Sequence, residues 1–237
     1  MPDFSQFEWL SFDCYGTLID WESGILGYLR PLLRIKNQDV ADGDILNLYS
    51  EFEPRQQHPP YRRYREVLAS VVRDFAARFD FEVTEAEATG LADSIRDWQP
   101  FPDTVPALQR LKSRYRLAVL SNIDDDLFAM TAPKLGVELD LVVTAQQVGS
   151  YKPTRRNFEV LLERLPVKKE RLLHVAESLF HDVAPARELG IATVWVNRRK
   201  GKPAAATKLV SALPDLEVPT VGALADLALV KSGGAQE

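Results

Sequence analysis

Five short apolar runs, each stopped at once by small or polar residues, constrain this chain more than anything else in it: 8–12 (EWLSF), 117–120 (LAVL), 141–144 (LVVT), 172–176 (LLHVA) and 193–196 (TVWV). Near-continuous apolar runs of this length read as strands covered on both faces, and therefore as a parallel sheet between helical layers. A helical pattern near 105–113 precedes the last four and others near 125–135, 155–165 and 183–189 lie between them, the strand and helix alternation of a doubly wound α/β sheet. The first run stands apart from the rest. From Trp21 to Trp98 there is no convincing strand, and apolar residues fall at helical spacing: Ile25, Leu29, Leu32 and Leu33 on one face, Tyr61, Tyr64, Leu68, Val71, Val72, Phe75 and Phe79 on another. Thr84 and Glu87 form a capping box that opens a further helix, ending before Pro100 and Pro102. The pattern predicts an α/β core of residues 1–20 and 99–237, interrupted by an all-helical insertion at 21–98 that lies over the carboxyl edge of the sheet. The tail 231–237 (KSGGAQE) reads as disordered.

Composition narrows the partners. Lys and Arg number 29 against 34 Asp and Glu, a formal charge of -5, without the basic excess that phosphate-backbone binding requires, so no nucleic acid is expected. The one cysteine, Cys14, allows no internal disulfide and no Cys-rich metal site, which fits a reducing, cytoplasmic setting. The start MPDFSQFEWL has no basic segment leading into an apolar run, and no apolar stretch approaches about 18 residues; neither a signal peptide nor a membrane span is expected.

Ligands of open parallel sheets bind beyond the carboxyl ends of the strands, so the polar residues that follow each run are the candidates. Asp13, Tyr15 and Thr17 follow the first run and Ser121 and Asn122 the second; Lys152 lies beyond the third, and Glu177, Ser178 and Asp182 follow the fourth. Each alone reads as a turn or capping residue. Together, a carboxylate on a strand-terminal turn, a lysine to keep it ionised and small hydroxyl and amide donors are equipped for nucleophilic catalysis through a covalent ester.

With these residues in place the sequence is identified as resembling the haloacid dehalogenase (HAD) superfamily. The segments Phe12-Asp13-Cys14-Tyr15-Gly16-Thr17-Leu18-Ile19-Asp20, Leu120-Ser121-Asn122, Tyr151-Lys152-Pro153 and AESLFHDVAPARELGI resemble its four motifs in order, and the helical insertion resembles its cap domain. The resemblance implies a Rossmann-like core, a nucleophilic Asp13, support from Thr17, Ser121 and Asn122, a charge-neutralising Lys152 and an acidic Asp182 near it. Phosphatases of the superfamily usually carry Asp two residues after the nucleophile, as general acid for the leaving alcohol. Tyr15 stands there, as in the L-2-haloacid dehalogenases, and a halide needs no proton donor. Tyr151-Lys152-Pro153 and Trp195-Val196-Asn197-Arg198 are also similar to that branch. It implies attack of Asp13 on C2 of a 2-haloacid and hydrolysis of the ester, with Tyr15, Asn122 and Ser178 as substrate contacts, no metal, and a homodimer.

Departures keep two other readings open. Ser50 aligns near the arginine with which the dehalogenases hold halide or carboxylate, leaving Arg55, Arg62, Arg63 and Arg65 as loose substitutes, and Phe158 replaces their tyrosine. Their fourth motif resembles Ser-Ser-Asn-x-x-Asp, with which only Ser178 and Asp182 coincide. The phosphatase form would instead enlist Asp13, Glu177 and Asp182 for Mg²⁺ through oxygen ligands. A binding domain that has lost catalysis is the third reading. Elsewhere Cys14 is expected to be core packing, His181 a helix-start residue with a free side chain and only secondarily one that lines the pocket, and Asp124, Asp125 and Asp126 an acidic first turn of their own helix. Asp20 is a candidate for holding the hinge into the insertion, and the 58–60 loop (His-Pro-Pro) for closing over the crevice.

Overall fold

The computed structural model describes residues 2–198 and 212–230; the tail expected to be disordered lies outside the described residues. Along the chain β1 (Trp9–Phe12) is followed by four helices, α1 (Trp21–Ile35), α2 (Asp42–Gln56), α3 (Tyr64–Phe79) and α4 (Glu85–Asp93). Then come α5 (Thr104–Lys112), β2 (Arg116–Ser121), α6 (Asp125–Thr131), β3 (Leu141–Thr144), α7 (Ala145–Val148), α8 (Arg155–Arg164), β4 (Leu172–Ala176), α9 (Ala184–Glu188), β5 (Ala192–Val196), β6 (Leu216–Val218) and α10 (Val221–Ala228). All strand pairs are parallel, in the order β3-β2-β1-β4-β5-β6. The doubly wound core with its helical cap is therefore present as the pattern predicts.

Both faces of the sheet are covered, which is why its strands lack polar alternation. On β2, Leu117 and Val119 pack into one apolar cluster and Ala118 and Leu120 into another, the latter with Phe158 and Leu161 of α8. The first cluster runs on without a break into Ile25, Leu29, Val72 and Phe75 of the cap, so core and cap share apolar packing. The strand missing from the sequence reading is β6. It has three residues at the sheet edge, with Glu217 exposed, too few to give a period.

The order places β1 between β2 and β4, where the winding reverses direction, and the crevice at such a point receives the ligand. Phe12 lies beside Val119 and Val175 in register. Asp13, Ser121 and Glu177 consequently leave the sheet at the same edge. Among the described residues no helix is long and apolar enough to cross a membrane.

The cap is tied to the core by a capping interaction between the two layers. Tyr61 was expected on the helical face of α3, but the helix starts at Tyr64 after an extended Arg63 that offers no side-chain cap. Asp124, fully buried, supplies it: its two carboxylate oxygens accept from the backbone N–H groups of Tyr64 and Arg65, each at 3.0 Å. Asp124 thus serves the cap helix and not α6, correcting the expectation that it belongs to the first turn of its own helix, while Asp126 pairs with Arg63 and Arg65 at 2.6 and 2.9 Å. Asp20 caps α1 at the hinge, accepting from Ser23 N. Two charge-assisted bonds at a helix N-terminus are lost in Asp124→Ala. The expected result is a loss of about 2–4 kcal/mol in denaturant unfolding, with Asp126→Ala, a half-exposed neighbour, losing under about 1 kcal/mol.

Candidate active site

The turn after β1 sets the geometry. The Cys14 carbonyl accepts from Leu18 N and Ile19 N, and Gly16, at φ +100°, donates to Ile19 O at 2.9 Å. Only glycine adopts that conformation without strain, and a Cβ there would stand 3.0 Å from the Trp21 indole nitrogen. The turn brings Thr17 back beside Asp13: Thr17 Oγ1 donates to Asp13 Oδ2 at 2.8 Å and accepts from Glu177 N at 2.8 Å. The Thr17 carbonyl accepts from Arg198 at 2.9 and 2.7 Å, and Arg198 is itself held by Asp103 and lies over the Phe101 ring. Cys14 is buried apolar packing, as expected.

Lys152 is the centre of the site. Its buried ammonium spends its three protons on Asp13 Oδ1 at 2.8 Å, Asp182 Oδ1 at 2.6 Å and the Leu120 carbonyl at 3.0 Å. Asn122, expected as a substrate contact, uses both ends of its amide on the Lys152 backbone, accepting from N at 2.7 Å and donating to O at 3.1 Å. Asp182 receives a further hydrogen bond from His174 Nε2 at 3.0 Å, and His174 Nδ1 meets Ser11 Oγ at 2.8 Å. The ring of Phe158 packs edge-on against His174 and is fully buried, so a hydroxyl at this position would add a polar group to the core.

One lysine between two buried carboxylates leaves the site short of positive charge. Burial raises Asp13 above the ordinary carboxyl range against the opposing pull of Lys152. Burial pushes Asp182 the same way, but there Lys152 and His174 prevail and hold it low. Glu177 is pushed up to about 7 by burial and by the charges of Asp13 and Asp182. Glu53 of α2 also rises to about 7, by desolvation, against a hydrogen bond from Tyr64.

These groups enclose a cavity of about 110 Å³ between core and cap. Asp13, Tyr15, Ser121, Lys152, Glu177 and Asp182 line it from the core; Trp21, Tyr49, Ser50, Glu53 and Tyr64 close it from the cap. Ser121 Oγ, buried and lining the cavity, has no hydrogen-bond partner. Tyr15 contributes its ring, while its hydroxyl meets Thr131 Oγ1 at 2.8 Å. Ser178 lines the cavity too, but its hydroxyl caps the turn Leu179–Val183 by accepting from His181 N.

Several expectations need correction. For His181 the secondary expectation holds in place of the first: its side chain is not free but lines the cavity, with Nδ1 3.2 Å from Ser178 Oγ. Of the substitute cations, Arg55 pairs with Glu51, Arg62 with Gln56, Arg63 with Asp126 and Arg65 with Asp93, and none lines the cavity. The 58–60 loop lines an outer cavity adjoining the first. Of the set Asp13, Glu177 and Asp182 that the phosphatase form would enlist for Mg²⁺, the two aspartates share the Lys152 ammonium through one oxygen each, at 2.8 and 2.6 Å, and Glu177 stands in the same cavity wall. Among the described residues no three His, Cys, Asp or Glu side chains are disposed to share a metal. Site residues that the sequence does not single out are His174, Glu53, Trp21 and Tyr49; Tyr64 is marked there as part of the cap's apolar face and Arg198 by its likeness to the dehalogenase branch, without their partners. A histidine inside the apolar run LLHVA is a usable signal for the first; nothing in the pattern marks Glu53, Trp21 or Tyr49 as site residues.

Comparison with known proteins gives a consistent family. The model for haloacid dehalogenase-like hydrolases matches residues 8–190. An (S)-2-haloacid dehalogenase 4A of Burkholderia cepacia is 29% identical over 206 residues, covering 81% of this chain and 84% of that protein. A glyceraldehyde 3-phosphate phosphatase of Methanothermobacter thermautotrophicus is 37% identical over 102 residues, covering 42% and 45%. The solved L-2-haloacid dehalogenase from Xanthobacter autotrophicus with chloropropionic acid covalently bound has a TM-score of 0.79 at 20% identity, covering 93% and 98%, a likeness of fold.

Proposed function

Since the chain belongs to the haloacid dehalogenase-like hydrolases, we propose that it cleaves the carbon–halogen bond of a small 2-haloacid through an ester on Asp13, without a metal. The observation that carries this is Tyr15: the position that would donate a proton to a leaving alcohol holds a phenol whose hydroxyl is engaged with Thr131 and whose acidity is suppressed by burial. A halide departs without a proton. In the first step an Asp13 oxygen attacks C2, the carbon–halogen bond breaks and the halide leaves with its electron pair. In the second, water adds to the Asp13 carbonyl carbon, the 2-hydroxyacid leaves and a proton is released. Thr17 and Lys152 hold and neutralise Asp13, and Asp182, kept ionised, is the carboxylate available to receive the water's proton. Ser121 Oγ, buried and without a partner, is the donor for the substrate carboxylate. The likeness to the (S)-2-haloacid dehalogenase 4A spans most of both chains, whereas the phosphatase likeness spans less than half of either.

Halide release from 2-haloacids in EDTA tests the reading, and undiminished release is expected. Phosphate-ester hydrolysis that appears only with added Mg²⁺ would favour the phosphatase reading, for which Glu177 in the cavity wall is the specific support.

A pH effect follows from Glu177. Below about pH 7 it is neutral; above, it adds negative charge beside Asp13 and Asp182, where an anionic substrate must bind. The KM for 2-chloropropionate is expected to rise several-fold between pH 6 and 8.5. In Glu177→Gln the rise should shrink to the part contributed by Glu53, as measured by initial rates across that range.

A further inference from the structure

We propose that the cap wall of the cavity selects substrates carrying an ammonium group, so that the natural haloacid is a zwitterion with its carboxylate on the core side and its ammonium beside Glu53. The inference deepens the dehalogenase reading and rests on it for the reaction. It starts from a charge balance: four carboxyl groups, Asp13, Glu53, Glu177 and Asp182, line the cavity, and among its described lining residues Lys152 is the only lysine or arginine. Lys152 has no proton left to offer a substrate, since Asp13, Asp182 and the Leu120 carbonyl take all three. Above about pH 7, where Glu53 and Glu177 are charged, a substrate of net charge -1 would meet uncompensated repulsion there. A zwitterion would not.

The two ends of the cavity differ in chemistry. On the core side the unpartnered, buried Ser121 hydroxyl is a donor suited to a carboxylate. On the cap side Glu53 stands among Trp21, Tyr49 and Tyr64, with the Trp21 and Tyr49 rings 5.7 Å apart. The Tyr64 hydroxyl at 3.1 Å and the Gln57 amide at 2.5 Å both donate to Glu53 Oε1, and Tyr49 OH lies 3.1 Å from Tyr64 OH. These bonds fix the carboxylate's orientation and draw on one of its oxygens, so that Oε2 can accept from an occupant. A carboxylate among aromatic faces recognises an ammonium by charge, hydrogen bonding and cation–π attraction together. Serine at position 50, beside Glu53 in the wall, presents no cation to compete.

The test compares kcat/KM for 2-chloro-3-aminopropionate and 2-chloropropionate, enantiomer by enantiomer, in the wild type and in Glu53→Gln. The wild type is expected to prefer the ammonium-bearing compound by at least about 10-fold, and the variant to bring the two within about 2-fold. A second arm needs no cleavage: calorimetric titration with the inert pair 3-aminopropionate and propionate, in which the wild type should bind the former more tightly. Tighter binding of 3-aminopropionate without turnover of any haloacid would sustain the ammonium site and defeat the dehalogenase reading. Turnover of haloacids with no ammonium preference, or with the same preference in Glu53→Gln, would overturn the ammonium site and leave that reading standing.

Discussion

Asp13→Asn is expected to lower hydrolysis by at least about 10⁴-fold, because the amide cannot form the ester on which both steps depend. The fold should survive it. In the wild type a single lysine serves two buried carboxylates, and burial raises Asp13 despite that lysine, so the charge is held there at a cost in stability. Asparagine keeps an oxygen for Lys152 and removes the desolvated charge. Unfolding midpoints of the variant are therefore expected at or above those of the wild type, which is the pattern of a residue retained for chemistry. Halide release, with circular dichroism as the check on folding, measures both parts.

Lys152→Met should act in the opposite sense on stability. It leaves Asp13 and Asp182, with side chains 11% and 1% exposed, facing each other without their shared cation. Breaking a buried ion pair from one side costs about 3–5 kcal/mol, and turnover is expected to fall by at least about 10³-fold, as a neutralised nucleophile would require. The loss should depend on pH. In the wild type Asp182 is held below its ordinary 3.8, so its contribution is present at neutral pH and fades as pH falls through that region. Without Lys152 the buried carboxyl titrates above that value, and its charging destabilises the fold as pH rises. The stability gap between wild type and variant is thus expected to be widest near pH 7–8 and to narrow toward pH 5 in urea denaturation.

The parts of this site that sequence reveals are those fixed by strand ends. Five apolar runs place the sheet, and the sheet order alone brings Asp13, Ser121 and Glu177 to one edge, with Lys152 and Asp182 completing the cluster. What the sequence conceals lies on the cap, where helical periodicity identifies a buried face but gives no angle between that face and the crevice. Tyr64 belongs at once to the cap's apolar packing and to the cavity wall, and Glu53 reads as one more charge on an ordinary helix. Hydrogen-bond partners are similarly hidden: Asn122 and Ser178 carry the right groups at the right places, yet their bonds to the Lys152 backbone and to His181 are long-range or turn-specific facts. Asp124 shows the same limit, since a carboxylate heading α6 gives no sign that it caps a helix sixty residues earlier.

The central claim is that Asp13 itself carries the substrate as an ester whose hydrolysis puts water's oxygen into the enzyme. A single turnover of excess enzyme with 2-chloropropionate in H₂¹⁸O, followed by mass analysis of the peptide containing Asp13, addresses it directly. The account predicts one ¹⁸O in the Asp13 carboxylate and a 2-hydroxyacid carrying the enzyme's own ¹⁶O. Label found in the product, with none in Asp13, would mean that water attacks the substrate carbon directly and would contradict it.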